Sequence, residues 1–222
     1  MMADRHGLLR IAIDGPGGSG KSTVARLIAK DYGIDYIDTG AMYRAVGYKA
    51  GTLGIPFEDS CELRELLDNT GIDFRNGRIM LDGEDISKMI RTQQVSMWAS
   101  ECSRLAPVRK KLVEIQKAMG KNRSVVMDGR DIGTNVMPDA EFKFYITATP
   151  EERAMRRYKE LTDKGVRSDY DTVLSEINER DYNDMHRKLD PLRKADDAME
   201  IDTTDMTVDE VTGKIKSIVE SR

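Results

Sequence analysis

The 222-residue sequence predicts an α/β fold: a parallel sheet flanked by helices, carrying a small antiparallel β insert and a helical lid. Three observations predict it. Short apolar runs alternate with longer helical stretches along most of the chain, the pattern of strands joined by crossover helices. A glycine-rich loop joins the first apolar run to the first helical stretch. Between residues 61 and 104 the rhythm breaks into hairpin signals.

The elements follow in order. Leu8–Ile13 reads as the first strand and Lys21–Tyr32 as the first helix. Gly33 closes that helix, because glycine accepts the left-handed backbone of a C-terminal cap. Ile34–Asp38 is a strand, and a helix runs from Ala41 to about Ala50. Gly71–Arg75 and Arg78–Asp82 flank Asn76-Gly77, a strong hairpin signal. Asp82-Gly83 turns into a third short strand near Glu84–Ile86, and Ser87–Leu105 reads as a helix leading back to the core. Ser124–Asp128 and Phe142–Thr147 are buried strands. Thr149 caps the next helix, with Pro150 at its first position, where no N–H is needed. Asp169–Met185 is a further helix, Glu200–Ile201 closes the sheet, and Thr207–Val219 is a final amphipathic helix. The expected division is a core of 1–60 and 105–222, with a lid at about 153–170, and an inserted subdomain of 61–104 that shapes specificity.

Gly15 to Ser22 fits G-x-x-x-x-G-K-[ST], the signature of a phosphate-binding loop, so the sheet is expected to be of the P-loop NTPase type. Gly15, Pro16, Gly17, Gly18, Ser19, Gly20, Lys21, Ser22 and Thr23 would form the cradle. The glycines let backbone N–H groups point inward, and the positive end of the following helix favours a phosphate. Lys21 would reach the terminal phosphates, and Ser22 would offer its hydroxyl to Mg²⁺.

A second anion site is expected at the same sheet edge, because ligands of open α/β sheets bind beyond the carboxyl ends of strands. Asp38-Thr39-Gly40-Ala41-Met42-Tyr43-Arg44 leaves one such end, and Arg44 suits a second phosphate better than an ion pair within its own helix. Asp128-Gly129-Arg130-Asp131 leaves another, with Asp128 placed as a metal-positioning acid. Arg180, Asp184 and Arg187 share a helix face, which taken alone reads as a solvated ion-pair series. Arg153, Arg156 and Arg157 stand at helical spacing before the break at Lys164-Gly165-Val166-Arg167. They read as a mobile lid whose arginines clamp a transferring phosphoryl group.

Composition narrows the partners. The 35 Lys and Arg against 39 Asp and Glu give a net charge of −4, which argues against a polynucleotide ligand. Two cysteines, Cys61 and Cys102, without a C-x-x-C pair speak against zinc and a disulfide framework, and fit a reducing cytoplasm. Both thiols are read as packing residues, and His6 and His186 as surface residues. No apolar stretch reaches membrane-spanning length, and Met1 to His6 lacks the apolar core of a secretory signal. The chain is taken as a monomer that meets only small molecules.

Together these segments resemble bacterial cytidylate kinases, a family of nucleoside monophosphate kinases. The resemblance rests on Ile13-Asp-Gly-Pro-Gly-Gly-Ser-Gly-Lys-Ser-Thr23, Asp38-Thr-Gly-Ala-Met-Tyr-Arg44, Gly83-Glu-Asp-Ile86, Ile90-Arg-Thr-Gln-Gln-Val95, Val125-Val-Met-Asp-Gly-Arg-Asp-Ile-Gly133 and Glu179-Arg-Asp181. It implies Mg²⁺-dependent phosphoryl transfer from ATP to CMP or dCMP, giving CDP or dCDP in pyrimidine nucleotide metabolism. It implies that 61–104 binds the acceptor nucleotide, and that Lys21, Arg153, Arg157 and Asp128 are catalytic. Ser22, and Asp128 through water, would hold the metal. Thr39, where serine is common in the family, would meet the acceptor nucleotide. Arg44, Arg130 and Arg187 would hold its phosphate, Arg180 and Asp184 its pentose, and Ser100, Arg109 and Asp131 its cytosine. The alternatives are another small-molecule P-loop kinase, such as adenylate or shikimate kinase, a GTPase switch, or a non-catalytic nucleotide-binding module. The absence of N-K-x-D counts against the GTPase, and the intact Lys21, Ser22 and arginines count against the module.

Overall fold

A computed structural model of the chain describes residues 7–75 and 77–221. Met1 to His6, and Asn76 of the expected hairpin turn, lie outside the described residues. The parallel sheet consists of β1 (Arg10–Asp14), β2 (Asp35–Asp38), β6 (Val125–Gly129), β7 (Phe142–Thr147) and β8 (Met199–Asp202). Their spatial order is β2-β6-β1-β7-β8, and every pairing is parallel. The insert carries a second, antiparallel sheet of β3 (Ile72–Arg75), β4 (Arg78–Leu81) and β5 (Glu84–Asp85). The helices are α1 (Lys21–Tyr32), α2 (Thr39–Thr52), α3 (Cys61–Asp68), α4 (Gln93–Cys102), α5 (Ala106–Lys121), α6 (Pro150–Asp163), α7 (Tyr170–His186) and α8 (Val208–Glu220).

Two apolar layers sandwich the main sheet. Ile11, Ile13, Phe142, Phe144 and Ile201 pack with α1 and α8 residues such as Ile28 and Ile215. On the other face Ile37 and Met127 pack with Met42 and Leu112. That second cluster continues into the insert through Leu63, Ile79 and Leu81. The hairpin and its helix therefore lean on the same apolar layer as the sheet, rather than on a core of their own.

Local chemistry sets most boundaries. Gly33 takes the left-handed backbone (φ 64°), and its N–H closes α1. Asp38 caps α2 by accepting from the Ala41 N–H at 2.8 Å, so that helix starts earlier than the apolar pattern suggests. Thr149 caps α6, and Thr207 with Glu210 forms a capping box on α8. The expected single helix over Ser87–Leu105 is instead a short 3-10 turn, Met89–Arg91, followed by α4. Thr92 is extended there, and its hydroxyl accepts from the Val95 N–H at 3.2 Å, which starts a new helix. Helices α3 and α5 have no counterpart in the sequence reading. Pro107 lies in the first turn of α5, where its missing N–H costs nothing. Of the two thiols only Cys102 is a packing residue, since Cys61 opens α3 and is exposed. Among the described residues no helix is long and apolar enough to cross a membrane.

Helix α4 lies across α2 at close range. A Cβ at Gly47 would stand 2.9 Å from the Ala99 nitrogen and 3.0 Å from the Trp98 carbonyl carbon. Backbone atoms cannot swing aside, so Gly47→Val should lower the unfolding free energy by about 1–3 kcal/mol through overpacking. Urea denaturation measures this, and a variant as stable as the parent would contradict it.

Candidate active site

The carboxyl ends of β1, β6 and β2 meet at one edge, with Asp14 beside Gly129 and Asp38 beside Asp128 in the strand register. From β1 the chain turns into the glycine-rich loop. A Cβ at Gly15 (φ 151°) would fall 2.0 Å from the Ile146 carbonyl oxygen, so only glycine fits. Gly20 is also left-handed (φ 86°) and launches α1 at Lys21. Lys21 is buried, and its Nζ donates to the Pro16 carbonyl at 3.0 Å. Burial first, and then the charge of Arg130, lower its pKa to about 7. A bound phosphate would supply the missing counter-charge.

Arg153, expected as a lid cation, is anchored against the phosphate loop. It is 3% exposed, and each of its nitrogens is engaged. Nε donates to the Ala148 carbonyl at 2.9 Å, Nη1 to the Gly17 carbonyl at 3.1 Å, and Nη2 to Asp181 Oδ2 at 2.6 Å. It braces the outer wall of the loop. Arg156 is spent on Glu152 and Thr203. Arg157 lies one turn beyond Arg153 and closes onto Glu160 of its own helix at 2.8 Å. The helical spacing of these arginines therefore does not bring them to one phosphate. Arg167, in the exposed connection to α7, makes no hydrogen bond or ion pair with any described residue.

Asp128 ends β6 beneath the loop. The Ser22 hydroxyl donates to its Oδ2 at 2.6 Å, and the Tyr36 hydroxyl to its Oδ1 at 2.8 Å. Burial, and the nearby charge of Asp38, push this carboxyl above its ordinary range. A hydroxyl and a carboxylate in contact are hard oxygen donors. Mg²⁺ is commonly held by one or two such protein groups, with phosphate oxygens and water completing its shell. The pair Ser22 and Asp128 fits that requirement.

The second pocket opens between β6, α2, α4 and α7. Its lining includes Thr39, Arg44, Ser100, Arg130, Asp131, Arg180, Asp184 and Arg187, together with Lys21 and Ser22. Eight of the nine acceptor-side residues expected from the sequence thus share one cavity with the phosphate loop; the ninth, Arg109, stands behind it. The Thr39 hydroxyl donates to the Asp128 carbonyl at 2.7 Å, which leaves it an acceptor toward a ligand. A Cβ at Gly129 would collide with that hydroxyl at 2.6 Å. Arg44 does form the ion pair within its own helix that the sequence disfavoured, meeting the cap Asp38 at 2.9 Å. Its Nε is buried without a hydrogen-bond partner among the described residues. Arg130 pairs with Asp184 at 2.8 Å. Arg180 forms no hydrogen bond or ion pair with any described residue. Desolvation in the cleft, followed by the charge of Arg130, lowers its pKa to about 10. Arg180, Asp184 and Arg187 therefore line the cavity, Asp184 buried and Arg180 still open to solvent.

Arg109 is 2% exposed, and its Nη2 donates to Asp131 Oδ2 at 2.6 Å. Asn135 also donates to Oδ2, at 3.2 Å, and Arg187 to Oδ1, at 3.1 Å. A carboxylate offers about four acceptor positions, so these three bonds leave one on Oδ1. Ser100, on α4, has a hydroxyl with no partner among the described residues. The insert reaches the cavity through Ser96, Ala99, Ser100 and Ser103 of the α4 segment, and the hairpin contributes none of the lining.

Several members of the site carried no role in the sequence reading. Tyr43 lines the cavity with a buried hydroxyl that has no hydrogen-bond partner among the described residues, and Arg109 lies over its ring at 5.6 Å. Tyr36 holds Asp128, and Asp190 holds Arg109 at 2.9 Å. Asp14 accepts from the Ile132 and Gly133 N–H groups at 2.8 and 2.7 Å and so fixes the turn that follows Asp131. The Tyr43 signal was its place in the Asp38–Arg44 segment; the side-chain hydrogen-bond partners of Tyr36, Asp14 and Asp190 lie at least 81 residues away.

A five-stranded parallel sheet, a lysine-bearing phosphate loop after β1, and a facing pocket walled by arginines define a phosphotransferase of the P-loop kinase class. The family profile described as cytidylate kinase matches residues 11–221, and the chain belongs to that family. The cytidylate kinase of Caldicellulosiruptor saccharolyticus is 51% identical over 211 residues, covering 93% of each chain. That of Clostridioides difficile is 48% identical, covering 95% of this chain and 98% of its own. Among solved structures, an uncharacterized protein from Eubacterium ventriosum superposes with a TM-score of 0.53 at 17% identity, covering 96% of this chain and 99% of that one. Shikimate kinase from Bacteroides thetaiotaomicron superposes with a TM-score of 0.51 at 12% identity and the same coverage, a likeness of fold alone.

Burial pushes the Asp14 carboxyl up to about 7, against the two backbone N–H groups that pull it down. Its folded pKa exceeds the unfolded one, so the native state binds the extra proton between those values. Stability therefore falls as pH rises from about 4 to 7, with a slope of up to ~1.4 kcal/mol per unit. Asp14→Asn removes this slope. Urea denaturation across that range should show the stability difference, parent minus variant, shrinking with rising pH and levelling above about 7. A constant difference would contradict this.

Proposed function

We propose that the chain transfers the γ-phosphoryl group of ATP to CMP or dCMP, giving ADP and CDP or dCDP. The loop from Gly15 to Thr23 holds the donor, with Lys21 at its terminal phosphates. The cavity holds the acceptor, with Arg44, Arg130 and Arg187 at its phosphate, and Arg180 and Asp184 at its pentose. An oxygen of the acceptor phosphate bonds to the γ-phosphorus while the bond to the β–γ bridging oxygen breaks. No general base is required, because the attacking group is already an anionic oxygen. Positioning, and neutralisation of spreading negative charge, supply the acceleration. Bound between Ser22 and Asp128, Mg²⁺ would neutralise charge on the donor phosphates.

One observation carries the choice of base. Asp131 lines the cavity with one acceptor position unused, and Ser100 lines the same cavity with a hydroxyl that has no partner among the described residues. Cytosine offers an amino donor where uracil offers a carbonyl. A carboxylate bonds the first and repels the second, a contact worth about 1–3 kcal/mol. Arg109 serves this contact from behind, by holding Asp131. In this reading residues 61–104 act as the acceptor subdomain through α4. The exposed connection between α6 and α7, with Gly165 at φ 70°, closes over the donor. The setting is pyrimidine nucleotide metabolism in the cytoplasm, which suits two unpaired cysteines.

A coupled assay of ADP release with Mg²⁺ and ATP against CMP, dCMP, UMP, AMP and shikimate tests the reading. CMP and dCMP should be phosphorylated, with kcat/KM for UMP at least ~10-fold lower. Equal use of UMP, or faster use of AMP or shikimate, would overturn it.

A further inference from the structure

Asp190 lies beyond the end of α7, just before Pro191, and is one of only two non-glycine residues with positive φ among those described (φ 45°). Such a backbone is sterically strained for an L-residue, and strain of this kind persists where its surroundings demand it. The surroundings here are specific. The Asp190 carboxylate accepts from Arg109 Nε at 2.9 Å. Its backbone carbonyl accepts from Arg187 Nε at 2.8 Å, and also from Arg187 Nη2. Arg109 and Arg187 then meet the two oxygens of Asp131. The four residues form a closed ring: Asp190 side chain, Arg109, Asp131, Arg187 and back to the Asp190 carbonyl. The left-handed backbone serves both arginines from one residue.

We propose that Asp190 is a positioning residue for acceptor selectivity. It fixes Arg109 and Arg187 on either side of Asp131, so that the unused Oδ1 position of Asp131 keeps one direction toward the acceptor base. Without the carboxylate, Arg109 loses the bond at Nε and is held only by Asp131 and by a long 3.4 Å bond from Nη1 to the Ser103 carbonyl, which fix its plane less firmly. The Asp131 carboxylate then loses its orientation but not its charge. The consequence falls on the base of the acceptor and not on the donor, whose loop Asp190 does not touch. The inference rests on the reading of the cavity as a CMP site.

Asp190→Gly separates the two functions of the residue. Glycine accepts the left-handed backbone and keeps the carbonyl for Arg187, but removes the acceptor for Arg109. Its KM for CMP should rise, and its CMP-to-UMP ratio of kcat/KM should fall, each by roughly 10-fold, the loss expected for one charge-assisted bond. Its KM for ATP should stay within about twofold of the parent value. Asp190→Asn keeps an oxygen for Arg109 Nε and tolerates the same backbone, so it should retain the parent ratio within about threefold. Circular dichroism checks folding, and the kinetics are read at a temperature where the glycine variant is folded, with Asp190→Asn as the folded control. An unchanged CMP-to-UMP ratio in the glycine variant, or equal rises in KM for CMP and ATP, would overturn the proposal. A parent enzyme that fails to phosphorylate CMP would instead overturn the cytidylate reading itself.

Discussion

A buried carboxylate between two arginines organises the acceptor half of this molecule. Asp131 is 5% exposed, and such a charge is tolerated inside a protein only when it is paired and hydrogen-bonded. Its partners come from α5, from the end of α7, and from the turn after β6. Residues separated by 22 and 56 positions in sequence are thereby tied to one point on the sheet edge. Removing either arginine would leave a buried charge short of a partner, so the arrangement stands or falls together. Asp131 also lines the cavity, with acceptor capacity beyond these three bonds.

The donor half follows a complementary rule. Its loop offers backbone N–H groups and a lysine whose charge is disfavoured by burial and by Arg130. Across the cavity, Arg180 is likewise depressed, by desolvation and by Arg130. Cations whose charge is disfavoured in this way mark a site that phosphates would complete. The carboxylates nearby serve distinct ends: Asp184 restrains Arg130, Asp181 restrains Arg153, and Asp128 engages Ser22 and Tyr36. Of the five cations lining the cavity, Arg44, Arg130 and Arg187 are ion-paired, and Lys21 and Arg180 form no ion pair with any described residue.

Local chemistry was legible in the sequence. The span Lys21–Tyr32, the caps Gly33, Thr149 and Thr207, and strand Phe142–Thr147 all follow from short-range rules and stand where those rules put them. The residues at the carboxyl ends of β2 and β6 were legible too, because a strand end in such a sheet is where ligands gather. Spacing alone did not show which partner holds each arginine. Arg153, Arg156 and Arg157 share a helix, but each has a nearer partner, and only Arg153 touches the loop. Asp190 and Tyr36 were silent because their meaning lies in contacts 81 and 92 residues away. Helix α5 was missed because its apolar stripe follows a proline, which reads as a breaker unless it falls in a first turn.

The most direct test is a crystal structure of the enzyme with CMP bound. The account predicts the cytosine amino nitrogen within about 3.2 Å of Asp131 Oδ1, near the Ser100 hydroxyl, with Arg109 still bonded to Asp131 from behind. A cytosine lying away from Asp131, or an Arg109 that abandons Asp131 to contact the base, would contradict it.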